Sequence, residues 1–123
     1  MLIGIGNDIV EIQRIKKAVE NKIFLEKVYT ESEIKEAEKK GVNMASSLAG
    51  KFSAKEAVSK ALGTGVRGFK LLDIEILSDN LGKPEVYFKG NLAEKMKENS
   101  VQISISHCKE YATAVAIVMR GAK

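Results

Sequence analysis

The chain has 123 residues, a formal net charge of +4 and a single cysteine. That length suits one domain, residues 1–123, able to bury roughly two thirds of its unfolded surface without disulfides or a structural metal. Hydrophobic residues at 45% and charged residues at 29% exclude a disordered or fibrous chain, and one Cys with one His excludes the usual zinc modules.

The apolar opening, Met1 to Val10, is interrupted by Asn7 and Asp8. It carries no basic leader and is far shorter than the ~20 residues that cross a bilayer, so neither secretion nor membrane spanning is expected. A lone Cys108 fits a reducing, cytoplasmic setting. Leu2 to Val10 reads as a buried strand ending near Asp8. Ile12, Ile15 and Val19 then recur at i, i+3 and i+7, a helical stripe that leaves Arg14, Lys17 and Asn21 on the opposite face. Thr30 and Glu33 have capping-box spacing, which predicts a helix starting there and fading at Gly41.

From Met44 to Leu62 only Gly50 weakens a continuous helix, and Gly63-Thr64-Gly65 ends it by supplying a positive φ. Leu72, Ile74 and Ile76 alternate with Asp73 and Glu75, a half-buried strand. Asp79 to Pro84 turns the chain into a second strand around Glu85 to Phe88. A short helix is expected over Asn91 to Glu98 and a strand over Gln102 to Ser106. After a turn at His107 to Glu110, Tyr111 to Met119 is apolar on both faces, as in a strand covered on both sides. The order is α+β: an N-terminal strand and helices, then a mostly antiparallel meander with one inserted helix.

Three places hold polar residues where the pattern calls for blander ones. Asp8, at a strand end, could hold a hard cation through oxygen ligands, or cap the helix that follows. On the long helix, Ala54, Ala57, Val58 and Ala61 form the core stripe, and Glu56 falls opposite with Lys60 one turn on. That pair is either a solvated i, i+4 ion pair or a metal ligand beside a phosphate-binding, proton-donating lysine. The only histidine, His107, follows Ser104 and Ser106 and precedes Lys109. It is either structural or part of a donor cluster for phosphate. A Cys108–His107 dyad is not expected, because neighbours on a strand point to opposite faces. Gly4-Ile5-Gly6 lacks the third glycine and the acid of a dinucleotide fingerprint.

Together these segments resemble a known family. Gly4-Ile5-Gly6-Asn7-Asp8-Ile9-Val10-Glu11 is similar to the first motif of the holo-acyl-carrier-protein synthases, the small stand-alone 4′-phosphopantetheinyl transferases of fatty-acid biosynthesis. The run Leu48 to Ala57, continuing through Ser59 to Gly65, resembles their second motif. Asp73 to Ile76, Gly82-Lys83-Pro84 and Ser104 to His107 follow in family order, so the likeness covers essentially the whole chain.

The resemblance implies a phosphopantetheinyl transferase-like fold and Mg²⁺-dependent transfer of 4′-phosphopantetheine from coenzyme A to a serine of apo-acyl carrier protein. It also implies a homotrimer with active sites at the subunit interfaces. By motif match, Asp8 and Glu56 would hold the metal against the diphosphate, Glu56 would accept the serine proton directly or through a metal-bound water, and Lys60 would stabilise or protonate the departing 3′,5′-ADP. Gly63, Pro84, Ser106 and His107 would border coenzyme A, with Lys51 facing its 3′-phosphate. Many family members carry Arg where Lys51 stands, and Lys offers only a point charge in place of a two-donor fork. Arg14 and Lys17, with Lys16 and Lys22 nearby, would meet the acidic carrier protein.

Two other classes fit the same residues less fully. A catalytically silent coenzyme A or carrier-protein binding module is motivated by the Lys51 departure. A nucleic-acid binder is motivated only by a pI near 9.1, with no Trp and no Arg-rich block behind it.

Overall fold

The computed structural model describes residues 2–63 and 68–121. Strand β1 (Leu2–Glu11) leads into helices α1 (Ile12–Ala18), α2 (Lys22–Val28) and α3 (Glu31–Glu38). A 3₁₀ turn at Gly41–Asn43 precedes α4 (Met44–Leu62). Beyond a second 3₁₀ turn at Leu71–Asp73 come β2 (Ile74–Ser78), β3 (Pro84–Phe88), α5 (Gly90–Lys95), β4 (Asn99–His107) and β5 (Tyr111–Arg120).

The α+β class and the antiparallel pairing are those expected, but the meander is split. The strands form a three-stranded sheet, β1-β5-β4, and a separate β2-β3 hairpin. β1, first in sequence, pairs with β5, so the central strand is the last one. Chain order alone does not reveal this closure, because antiparallel partners need not be neighbours in sequence.

Helix α4 crosses one face of the sheet, and its nearness is set by small residues. Gly4 and Gly6 of β1 lie so close to α4 that a Cβ on either would overlap a carbonyl oxygen, that of Ala61 or Ala57. On the same face β5 presents Ala112, Ala114, Ala116 and Val118, all buried. The Gly-Ile-Gly run is therefore a packing device, backbone against backbone. α4 divides two apolar clusters: one includes Ala54, Val58, Ile74, Ile76 and Leu92, the other Val10, Ile15, Val28, Tyr29 and Leu48.

Several local expectations change. β1 continues through Asp8 to Glu11, and α1 begins at Ile12 with no side-chain cap bond, so Asp8 is not a helix cap. β1 is not buried on both sides either: Ile5 and Ile9 are each 63% exposed. β5 is covered on one face only, with Tyr111 and Met119 exposed on the other. Helix α2, which lacks a clear apolar period, is fixed by Asn21, whose Oδ1 accepts from the N–H groups of Ile23 and Phe24 at 2.9 and 3.3 Å. Glu75 lies buried within β2, where Thr30 donates to its carboxylate at 2.5 Å and Lys89 pairs with it at 3.0 Å.

Other expectations meet the structure directly. The Thr30–Glu33 capping box is present, α4 spans Met44–Leu62, and Gly63 leaves it at φ +59°. Thr64 and Gly65 lie outside the described residues. Among the described residues no helix is long and apolar enough to cross a membrane.

Candidate active site

The site begins with how Asp8 is held. Its backbone carbonyl accepts from the hydroxyls of Ser53 on α4 at 3.0 Å and Thr113 on β5 at 2.7 Å. In the strand register Asp8 stands opposite Ala114, on the sheet face that meets α4. Helix and sheet thus fix it from both sides.

Lys60 of α4 reaches back to the same point. Its ammonium donates to the carbonyl of Asn7 at 2.9 Å and to Asp8 Oδ1 at 3.1 Å. Lys60 therefore pairs with Asp8, and the solvated i, i+4 pair with Glu56 is not the arrangement found. Glu56 is half-buried one turn before Lys60. Burial, and then the negative charge of Asp8, push its carboxyl above the usual glutamate range, while Lys60 opposes the shift. Asp8 and Lys60 are brought together from positions 52 residues apart in sequence, and Glu56 lies within electrostatic reach of both.

Two carboxylates beside a backbone carbonyl make an all-oxygen donor set. Among the described residues there is no cluster of three or more Asp, Glu, His or Cys. Oxygen donors of this kind are the chemistry that hard cations such as Mg²⁺ take, with water and substrate phosphate filling the rest of the shell.

A cleft of about 400 Å³ opens around the N-terminal half of α4, lined by Lys40, Ser47, Lys51, Pro84 and His107 among others. Three residues expected at coenzyme A, Lys51, Pro84 and His107, converge here. Ser106 does not: it pairs with Thr113 on the outer sheet face, whereas His107 pairs with Ala112 on the helix face. The hydroxyl, imidazole and ammonium donors of that stretch are thus divided between two faces. Lys51 is buried; its ammonium meets Glu36 Oε2 at 2.5 Å and the carbonyl of Ile76 at 2.7 Å. Gly63 caps α4 near Lys60 and stands about 18 Å along the helix from Lys51. Arg14 and Lys17 are exposed on α1, as are Lys16 and Lys22.

Sequence reasoning passed over Ser53, Thr113, Glu36 and Lys40. Ser53 stood within the motif that carries Glu56, but nothing in a single sequence ties Thr113 to Asp8. Glu36 and Lys40 were visible only as charges on a short helix and the turn after it.

Residues 4–116 match the 4′-phosphopantetheinyl transferase superfamily. The chain is 53% identical over 123 residues to a holo-[acyl-carrier-protein] synthase of Fusobacterium nucleatum subsp. nucleatum, covering 97% of this chain and 100% of the relative. It is 49% identical to the Clostridium tetani synthase of the same name, covering 96% of each. Among solved structures, holo-[acyl-carrier-protein] synthase from Neisseria meningitidis superposes with a TM-score of 0.87 at 33% identity, over 98% of this chain and 100% of that one. The Bacillus anthracis synthase, in complex with CoA (3′,5′-ADP), gives 0.82 at 40% identity, over 98% and 99%. With the Asp8, Glu56 and Lys60 geometry resting on the glycine-packed β1–α4 contact, and with this match running almost end to end, the chain belongs to the 4′-phosphopantetheinyl transferase superfamily, among the holo-[acyl-carrier-protein] synthases.

Proposed function

We propose that this protein transfers the 4′-phosphopantetheine group of coenzyme A to a serine hydroxyl of apo-acyl carrier protein, releasing 3′,5′-ADP and supplying holo-carrier to fatty-acid biosynthesis. The observation that carries the reading is the Lys60–Asp8 ion pair across the β1–α4 contact, with Glu56 one helical turn before Lys60 and in electrostatic reach of both. Asp8 and Glu56 fit Mg²⁺; bound there, the ion would neutralise the diphosphate and fix the line of attack.

The residues of the chain do the rest. Glu56, with its raised pKa, is poised to take the serine proton as the hydroxyl oxygen bonds to the pantetheine-side phosphorus. The bond from that phosphorus to the bridging oxygen breaks, and the electron pair leaves on 3′,5′-ADP. Lys60, more than half exposed and already turned toward Asp8, stabilises that charge. Pro84 and His107 border the nucleotide from the cleft wall, and Arg14 with Lys17 offers a basic face to an acidic carrier protein.

The cleft and the carboxylates sit at different halves of α4, and the outer face of β1 and β5 presents Ile5, Ile9, Tyr111 and Met119 to solvent. Both features support a homotrimer in which one subunit's cleft completes a neighbour's carboxylate site, because apolar side chains gathered on one sheet face favour a covered state. The lone, exposed Cys108 suits a reducing, cytoplasmic setting.

The test is a mass measurement. With coenzyme A and Mg²⁺, apo-acyl carrier protein is expected to gain one phosphopantetheine group, and a chelator to stop the gain. No mass change across several divalent ions and carrier proteins defeats the reading.

A further inference from the structure

Among the described residues strand β2 pairs with β3 and with no other strand. In an antiparallel ladder the backbone groups of alternate residues point to opposite edges. The carbonyl of Asp73 accepts from the N–H of Lys89 on the β3 side, which turns the groups of Ile74, Ile76 and Ser78 to the other edge. An edge of this kind ordinarily meets water or a further strand. Here charged side chains take that place. From α3, Glu33 Oε2 accepts from the N–H of Ile76 at 2.6 Å, and Glu36 Oε1 from the N–H of Ser78 at 3.0 Å. From α4, the ammonium of Lys55 donates to the carbonyl of Ile74 at 2.6 Å, and that of Lys51 to the carbonyl of Ile76 at 2.7 Å. The N–H of Ile74 closes on the carbonyl of Leu71.

The spacing explains the fit. Residues four apart on a helix are about 6 Å apart along its axis, close to the ~6.8 Å between alternate residues of a strand. Lys51 and Lys55 can therefore follow two carbonyls of one strand edge, and Glu33 and Glu36 two of its N–H groups. The charges cancel where they stand, since Lys55 pairs with Glu33 at 2.8 Å and Lys51 with Glu36. The hairpin docked in this way forms one wall of the cleft, to which it contributes Ile76, Ser78, Gly82 and Pro84. Glu33 and Lys55 are fully buried behind that wall and do not line the cleft.

We propose that Glu33 and Lys55, with Glu36 and Lys51 beyond them, are positioning residues: they replace a neighbouring strand along β2 and so set the hairpin wall of the cleft against α3 and α4. The inference rests on the cleft being the coenzyme A site. It adds that the width of the cleft is fixed by a ladder of paired charges whose inner rung touches no ligand.

Amide hydrogen exchange on the full chain, followed residue by residue, reads the ladder without any substrate. Glu36→Leu removes the acceptor of the Ser78 N–H and is expected to speed its exchange at least about tenfold, the scale of one hydrogen bond to a charged group. Glu36→Gln keeps an acceptor there and should change the rate less than about threefold. Equal rates in the two variants overturn the ladder. At the inner rung, Lys55→Met with Glu33→Gln removes both charges at once, so neither is left buried without its partner. Exchange at Ile76 and Ser78 should quicken at least about tenfold while the β5 amides stay unchanged. KM for coenzyme A should rise at least about fivefold, with kcat and the KM for apo-carrier protein within about twofold. Equal quickening across β2 and β5 makes the pair merely structural and overturns the proposal, as does quickened exchange with KM for coenzyme A unmoved. If this double variant does not fold, the two Glu36 variants decide. An unaltered chain that transfers nothing defeats the transferase reading, and hydrogen exchange still decides the ladder.

Discussion

Glu56 and Lys60 lie four residues apart on one helix, yet they hold different positions in the site. Lys60 is tied to Asp8 and Asn7 of β1, whereas Glu56 has no ion pair among the described residues and its pKa is raised by burial and then by Asp8. In the proposed reaction Glu56 is the carboxylate assigned to take the serine proton, and its raised pKa suits that exchange. Glu56→Gln keeps the shape and removes the proton acceptor. It is expected to lower turnover by about a hundredfold to ten-thousandfold while the urea midpoint moves little, which paired kinetics and denaturation would establish. Near-normal turnover removes Glu56 from the mechanism. The motifs that carry Asp8 and Glu56 were legible in the sequence, but the hydroxyls of Ser53 and Thr113 that hold Asp8 in place were not. A serine and a threonine in a strand or helix carry no sign of which carbonyl they will meet.

At the scale of elements, the β1–α4 contact positions the site, and it depends on the lack of a side chain. Gly6→Ala places a methyl group against the carbonyl of Ala57, where neither backbone can retreat without breaking the sheet or the helix. A loss of about 3 kcal/mol is expected in urea unfolding, toward the upper end for overpacking, with turnover falling because Asp8 and Lys60 no longer meet. A variant as stable as the parent would show that the strand can ride away from the helix. Helix α4 was readable in full from Met44 to Leu62, because its composition favours helix and Gly63 closes it. Its burial was not. Lys51 and Lys55 border the core stripe in a helical count, and both are buried, Lys55 against Glu33 at 2.8 Å and the carbonyls of Leu71 and Ile74. Partners distant in sequence make such burial tolerable, and local periodicity does not show them.

Over the molecule as a whole, exposed Ile5 and Ile9 on one sheet face predict assembly. On the proposed trimeric arrangement, Ile5→Asp, at a position open to solvent in the single chain, is expected to shift the sedimenting species to monomer. Turnover should then drop at least about tenfold, because that arrangement builds the site from two subunits. A variant that remains trimeric and active would place the interface elsewhere.

Acid stability is the second property of the whole. Glu36 and Glu75 each feel burial that would raise their pKa, and for each the hydrogen bonds and ion pairs win and lower it: Lys51 and Ser78 for Glu36, Thr30 and Lys89 for Glu75. A carboxyl with a lower pKa folded than unfolded adds stability above the unfolded value, about 4.3, and loses it as pH falls through the folded one. The urea midpoint should therefore decline below about pH 4.3, and Glu36→Gln should flatten part of that decline.

The order of residues was enough to mark the α+β class, the capping box at Thr30, the long helix and the two acidic motifs, because each is written in short-range spacing and local propensity. The pairing of β1 with β5, the split into two sheets, the burial of Lys51 and Lys55 and the capture of Lys51 by Glu36 emerge only once distant segments pack. Which charge remains available to a ligand depends on which partners have already claimed it, and those partners are chosen by the fold.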